Sequence, residues 1–324
     1  FNRTLDGMTF IGVTGTDGKT TTSNLIYHIL TQAGQKAALI STISAVIDGN
    51  QLDTGFHVTT PSPLALQAYI KDAKKSGAKY VVLEVTSHAL DQYRVFGIPF
   101  TIGVMTNITN EHLDYHKTYE NYVSTKVKLM QSAKIAILNV DDASFPLVTS
   151  RLKKAHYKGK ILTYGLVGEA DVTNVTFPFQ TKLIGEFNKY NTLAAVSVCQ
   201  SLDIAPEVIR DAITSFTPPQ GRTEIVHEGD FTIMIDFAHT PNSIVQVLKT
   251  VKTEILKKGK IIHVFGSAGD RDRMKRKEMG KASASYADSI ILTAEDPRSE
   301  SVGDINAEIL VGIREVVKEK NKTI

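Results

Sequence analysis

The sequence predicts an α/β protein with largely parallel sheets. Short β-branched runs alternate with longer helical patterns along 324 residues, a glycine-rich turn joins the first such run to a helical stretch, and several of the runs are continuously apolar, as strands covered on both faces are. The strand candidates, in order, are TFIGVTG, KYVVLEVT, TIGVMTNI, AKIAILNV, FTIMIDFA, KIIHVFGS and DSIILTAE. Between them, TTSNLIYHILTQAG puts Leu25, Ile26, Ile29 and Leu30 on one helical face and stops at Gly34. NKYNTLAAVSVCQSL, NSIVQVLKTVKTEILKKG and INAEILVGIREVVKEK have the same period. Strand–helix alternation implies parallel strands joined by right-handed crossovers.

TPPQGR, Thr217 to Arg222, has two prolines and a glycine and precedes a new strand–helix series. The expected organisation is a domain over 1–220 carrying the glycine loop, then a smaller Rossmann-like α/β domain over 221–324.

A hydrophobic fraction of 42% supports sizeable cores, and a net charge of +3, from 37 basic and 34 acidic residues, does not call for nucleic acid. The single cysteine, Cys199, excludes a disulfide framework and a four-thiolate metal site. It fits a reducing, cytoplasmic setting. No apolar run reaches the ~18 residues of a membrane span. The chain opens on Phe1 rather than Met, so upstream targeting is left open.

GVTGTDGKTTT, Gly12 to Thr22, follows a strand and opens a helix. It departs from the common G-x-x-x-x-G-K-[ST] spacing, since counting five back from Gly18 lands on Val13. Its chemistry is nonetheless that of a phosphate loop (P-loop). Backbone N–H groups of Gly15, Thr16, Asp17 and Gly18 and the helix N-terminus face an anion, Lys19 reaches outer phosphates, and the Thr20 hydroxyl, with Thr21 beside it, can ligate Mg²⁺. LEVTSHALDQYR places Glu84 at a strand end, where a carboxylate either holds a metal near the loop or makes a buried ion pair. His112 and His116 are four apart and would share a helical face. Zinc is one reading of that pair, and the preference of Mg²⁺ for oxygen ligands weighs against it. Lys126, in a mostly apolar helical stretch, reads from composition as a snorkelling surface lysine.

In GEFNKYN, Asn191 can pair with an adenine edge and Asn188 can cap a helix. Asp236 and His239 lie at a strand end, where Asp236 suits a ribose hydroxyl or a cap. The charge run from Asp270 to Arg276 follows a strand and glycines and reads as anion-binding more readily than as a solvated face. Arg298, just past the last strand, can grip a carboxylate with a bidentate fork.

These strings, with HVTTPSPLALQ, TNITNEHLDYHKTYENY, GRTEIV, IDFAHTPNS, FGSAGDRDRMKR and EDPRSE in the same order, resemble the Mur ligases, ATP-dependent ligases that extend the cell-wall peptide. The branch that adds the third residue is the nearest. The resemblance implies that ATP phosphorylates a carboxylate of a muramoyl-dipeptide precursor to an acyl phosphate, which an incoming amine then attacks. It further implies that Lys19 neutralises the transferring phosphoryl group, that Thr20 and Glu84 hold a first Mg²⁺ and Glu84 and His112 a second, and that Lys126 is carbamylated. It assigns adenine nucleotide to Asn191, Arg222, Asp236 and His239, muramoyl-dipeptide to Thr59, Thr60, Ser87 and Arg94, and the incoming amino acid to Arg271, Asp296 and Arg298. Where relatives that use meso-diaminopimelate have D-N-P-R, this chain has EDPR with Arg298 kept. Diaminopimelate is the favoured amine. Against that family, the chain is expected to lack the uridine-binding N-terminal domain and a final strand past Ile324. Two alternatives follow: a related ligase acting on another precursor, such as a pseudomurein peptide, or a nucleotide-binding module without ligase activity. Retention of Lys19, Glu84, His112 and Lys126 argues against the second.

Overall fold

The structure, a computed structural model, describes residues 5–52, 59–255 and 258–319. It forms two compact units. One takes the chain as far as Ile108, then Glu120–Leu183 and Phe187–Pro219; the other takes Thr109–Tyr119, Ile184–Glu186 and the chain from Gln220.

The first unit is built on an eight-stranded sheet of order β4-β3-β2-β5-β1-β6-β7-β8. Its strands are β1 (Thr9–Thr14), β2 (Ala37–Ile40), β3 (Ala45–Ile47), β4 (Asn50–Leu52), β5 (Tyr80–Glu84), β6 (Phe100–Met105), β7 (Ile135–Asn139) and β8 (Lys160–Tyr164). β1 lies between β5 and β6, parallel to both, with Val13 opposite Glu84 and Val104. This register brings the ends of β1, β5 and β6 to one edge, where ligands of open parallel sheets bind.

Helices α1 (Lys19–Gln32), α2 (Pro63–Lys75), α3 (Ser87–Asp91), α5 (Tyr119–Ser132), α6 (Phe145–Lys154), α7 (Glu186–Ser201) and α8 (Pro206–Ser215) belong largely to this unit, and the short α4 (Leu113–His116) belongs to the other. The stripe Leu25, Ile26, Ile29 and Leu30 of α1 is fully buried against Ile11, Val13 and Val82, and α7 adds Leu193 to Val196. β1 and β5 are buried on both faces, which accounts for their unbroken apolar sequences.

The alternation implied parallel pairing, and two places differ. β3 and β4 add antiparallel to the β2 edge. In the second unit, β9 (Glu224–Glu228) and β10 (Thr232–Ile235) form an antiparallel pair. Both are joined by tight turns too short for a helical crossover. That unit continues with α9 (Pro241–Thr250), β11 (Ile262–Phe265), α10 (Met274–Tyr286), β12 (Ser289–Leu292) and α11 (Val302–Glu319). β11 and β12 pair in parallel. Ile244, Leu248, Phe265, Met279, Ile305 and Ile309 form its core. Among the described residues, no helix is long and apolar enough to cross a membrane.

One carboxylate fastens the far side of the first sheet. Asp141, just after β7, accepts from the backbone N–H groups of Leu166, Val167 and Gly168 at 2.6, 2.9 and 2.6 Å, and from the Tyr190 hydroxyl at 3.1 Å. Partial burial works to raise its carboxyl, but these donors together outweigh burial and hold it below its usual 3.8. A depressed folded value adds stability that is complete above the unfolded value and is lost as pH falls through the folded one. Asp141→Asn is therefore expected to be less stable than wild type in urea at pH 7, with the difference shrinking at pH 3. An equal difference at both pH values would contradict this account of the Asp141 clamp.

Candidate functional site

The turn from β1 into α1 is held from beneath by the end of β6. Asn107 accepts from the Thr16 N–H on its carbonyl at 2.8 Å and from the Asp17 N–H on its side-chain oxygen at 2.9 Å. Thr106 donates its hydroxyl to the Asp17 carbonyl at 2.7 Å. Two glycines are required by space. A Cβ on Gly15 would strike the Thr106 hydroxyl, and one on Gly18, which has a φ of 81°, would strike the Asn191 side-chain oxygen. α1 begins directly after Gly18 with no side-chain cap and no acidic residue in its first turn. Its first N–H groups and its positive dipole end thus face the loop. Lys19 donates to the Thr16 carbonyl at 2.8 Å.

Glu84, at the end of β5, is 1% exposed. The Thr20 hydroxyl lies 3.1 Å from each of its carboxylate oxygens, and the Thr42 N–H donates to one of them at 3.1 Å. Hydroxyl and amide donors balance this carboxylate, so of the two readings the buried ion pair is not the one found. Beyond Glu84, Thr60 donates to the Glu84 carbonyl at 3.0 Å and accepts from the Thr86 N–H at 3.1 Å. Arg94 donates to the Thr60 carbonyl at 2.9 Å. Ser87 is buried in the first turn of α3, which Thr86 caps by accepting from the Ala89 N–H at 3.1 Å. Thr60, Ser87 and Arg94 are thus gathered around the end of β5, with Thr59 next in chain.

Lys126 is not a surface lysine. It is 1% exposed, donates to the Gly15 carbonyl at 2.6 Å, and lies over the Tyr122 ring at 4.6 Å. Tyr122 in turn meets the Thr16 hydroxyl at 3.2 Å. α5 brings both side chains in because Tyr122 and Lys126 are one turn apart on its buried face. Asn188 is not a helix cap either. α7 begins at Glu186, and the buried Asn188 oxygen accepts from the Asn191 amide at 2.9 Å.

In the second unit, His112 adopts a φ of 56° immediately before α4, so His112 and His116 do not share one helical face. Among the described residues, no group of three or more His, Cys, Asp or Glu side chains is placed to hold a metal ion. Asp236 accepts from the Thr223 N–H at 2.7 Å and is no helix cap; Thr240 caps α9. Arg222 stacks over Phe237 at 4.8 Å, and His239 meets the Phe237 carbonyl at 3.0 Å. Arg271 is exposed on the loop before α10. Arg298 donates to Asp296 at 3.1 Å through Nε.

Sequence reasoning did not find Asn107, Thr42 or Glu111, and it read Arg276 as part of an anion-binding run, whereas its guanidinium is taken up by Glu300, Glu308 and the Ala268 carbonyl. Glu111, which is buried, is paired with the half-buried Lys275 at 2.9 Å. The clue to Arg276 was its place three before Met279 and seven before Ser283, on the inner face of α10.

A strand, a glycine loop clamped by its neighbour and an uncapped helix start, beside a buried carboxylate with hydroxyl company, define an α/β protein that binds phosphate groups. The chain belongs to the Mur ligase family. Residues 13–199 match the Mur ligase middle domain, and residues 221–323 match the Mur ligase, glutamate ligase domain. It is 41% identical to the UDP-N-acetylmuramoyl-L-alanyl-D-glutamate–2,6-diaminopimelate ligase of Aquifex aeolicus, over 100% of this chain and 68% of that one. A solved structure of a UDP-N-acetylmuramoyl-L-alanyl-D-glutamate–2,6-diaminopimelate ligase aligns at a TM-score of 0.69 and 32% identity, covering 95% of this chain and 66% of that one. The chain thus spans about two thirds of the relatives it matches. The Mycobacterium tuberculosis folylpolyglutamate synthase complexed with ADP aligns at a TM-score of 0.75 and 15% identity, covering 98% of this chain and 84% of that one, and shares the fold.

Gly18→Ala combines a left-handed φ with a Cβ directed at Asn191. It is expected to lower stability by about 1–3 kcal/mol in chemical denaturation. A wild-type midpoint would show that the loop gives way at no cost.

Proposed function

We propose that this chain carries the catalytic part of an ATP-dependent ligase that joins a diamino acid to a muramoyl-dipeptide precursor in peptidoglycan synthesis. The observation that carries the reading is the buried Thr20–Glu84 pair, 3.1 Å apart, beside the open N-terminus of α1. The similarity to diaminopimelate ligases supports the choice of substrate.

Phosphate loop and lysine act on ATP. Backbone donors of Gly15 to Thr21 and the α1 dipole hold the phosphates, and Lys19 leaves the Thr16 carbonyl to neutralise charge on the transferring group. Mg²⁺ would fit this donor set, because a hydroxyl and a carboxylate offer hard oxygens. Thr20 and Glu84 would hold it, and it would supply charge neutralisation on phosphoryl oxygens. We assign His112 to a second ion on the resemblance alone. Asn191, Arg222, Asp236 and His239 are assigned to the nucleotide.

The precursor is assigned to Thr59, Thr60, Ser87 and Arg94. Its carboxylate oxygen attacks the γ-phosphorus, the bond to ADP breaks, and an acyl phosphate forms. The amine then attacks the acyl carbon, phosphate leaves with the former carboxylate oxygen, and the amine gives up a proton. Lys126, carbamylated, would present an anionic oxygen in place of an ammonium where it now touches the Gly15 carbonyl. Arg271, Asp296 and Arg298 are assigned to the amino acid, with Arg298 on the distal carboxylate of diaminopimelate.

The test incubates protein, ATP, Mg²⁺ and UDP-muramoyl-dipeptide with a panel of amino acids, following phosphate release and product mass. Turnover with diaminopimelate is expected; ATP binding with no product under any combination would sink the reading. Lys19→Ala is expected to lower kcat by roughly 10²–10³-fold. In carbon-dioxide-depleted buffer, added bicarbonate should raise wild-type activity and leave Lys126→Ala unmoved; indifference of the wild type contradicts carbamylation.

A further inference from the structure

Among the described residues, Arg276 is the largest side chain buried completely. It lies in the first turn of α10 and reaches three directions. Nη2 and Nη1 donate to the two carboxylate oxygens of Glu300 at 2.8 Å each. Nη1 also donates to Glu308 of α11 at 2.9 Å, and Nη2 to the Ala268 carbonyl at 3.1 Å. The loop after β11 and the loop after β12 therefore meet on one guanidinium.

The same two loops are sewn together above it. Glu300 accepts the Asp270 N–H at 2.6 Å. Asp270, at a φ of 50°, accepts the Ser299 hydroxyl at 2.8 Å and its N–H at 3.2 Å. The Gly269 N–H donates to the Asp296 carbonyl at 2.8 Å. Arg271 stands on the first loop and Asp296 and Arg298 on the second, both past the carboxyl ends of the parallel β11–β12 pair. A side chain with five donors in a fixed plane is suited to fix two loops at once, and a lysine is not. Arg276 and the Asp270 amide hold the Glu300 carboxyl down to about 2, so the pair stays charged over the whole physiological range.

We infer that Arg276 and Glu300 are positioning residues that set the spacing between Arg271 and Arg298, and through it the selection of the incoming amino acid. This rests on the amino-acid role assigned above to those loops. Neither side chain need touch the substrate: the Arg276–Glu300 pair decides where the two substrate-facing arginines stand, and a shift of a fraction of an ångström at a recognition fork weakens it.

The test uses the whole protein and Glu300→Gln, with Arg276→Lys as a second variant. Amide hydrogen exchange without ligand reads the staple itself. The Gly269, Asp270 and Ser299 amides are expected to exchange on the order of tenfold faster in both variants, while the central turns of α10 and α11 keep their protection. Steady-state kinetics read the consequence. The KM for diaminopimelate should rise roughly tenfold and its preference over lysine should fall, with kcat and the KM for ATP within about twofold of wild type. Unchanged exchange at those three amides overturns the inference whatever reaction the protein catalyses. Faster exchange with an unchanged diaminopimelate KM overturns it too, as do equal rises in the KM values for ATP and the amino acid. A wild type without diaminopimelate-dependent turnover counts against the ligase reading, and the exchange result still decides the staple.

Discussion

A carboxylate that is nearly inaccessible to solvent must be compensated, and the first unit is arranged around that demand. Glu84 ends a strand buried on both faces, and its oxygens are met by the Thr20 hydroxyl and the Thr42 amide. Burying a charge with neutral donors alone is costly. The register that puts Glu84 opposite Val13 carries it to the mouth of the phosphate loop. Everything nearby follows from keeping that loop in one shape: Asn107 and Thr106 under it, glycines where Thr106 and Asn191 leave no room, and Lys126 on the Gly15 carbonyl.

The second unit solves the opposite problem. Arg276 is buried more completely than Glu84, yet two carboxylates and a carbonyl saturate its outer nitrogens. Such a group is a strut. The contrast separates the two kinds of buried charge in this chain. One is satisfied by opposite charge and fixes loops; the other is met by a hydroxyl and an amide, and the proposed function gives its negative charge to a cation.

Much of this was legible in the sequence because the relevant signals are local. The strand–glycine–helix turn of Gly12 to Thr22, the apolar runs of β1, β5, β6 and β7, and the stripe from Leu25 to Leu30 each follow from periodicity and turn chemistry within a dozen residues. The short edge strands were not legible: β4 is the exposed triplet Asn50–Leu52, and β9 is exposed along most of its length. Lys126 and Arg276 show the other limit. Composition makes Lys126 a surface cation and places Arg276 in an anion-binding run, and only contacts across 111 residues for Lys126, or 24 and 32 for Arg276, turn them inward. His112 shows a third, since i, i+4 spacing carries no shared face when the first residue is left-handed.

The central claim is that the loop delivers the γ-phosphoryl group of ATP to a carboxylate rather than to water. Oxygen transfer tests it directly. UDP-muramoyl-dipeptide labelled with ¹⁸O in its terminal carboxyl groups is turned over with ATP, Mg²⁺ and diaminopimelate, and the released phosphate is weighed by mass spectrometry. One ¹⁸O atom per phosphate is the predicted result. Phosphate that carries no label while ATP is consumed would mean that water takes the phosphoryl group, and would contradict the account.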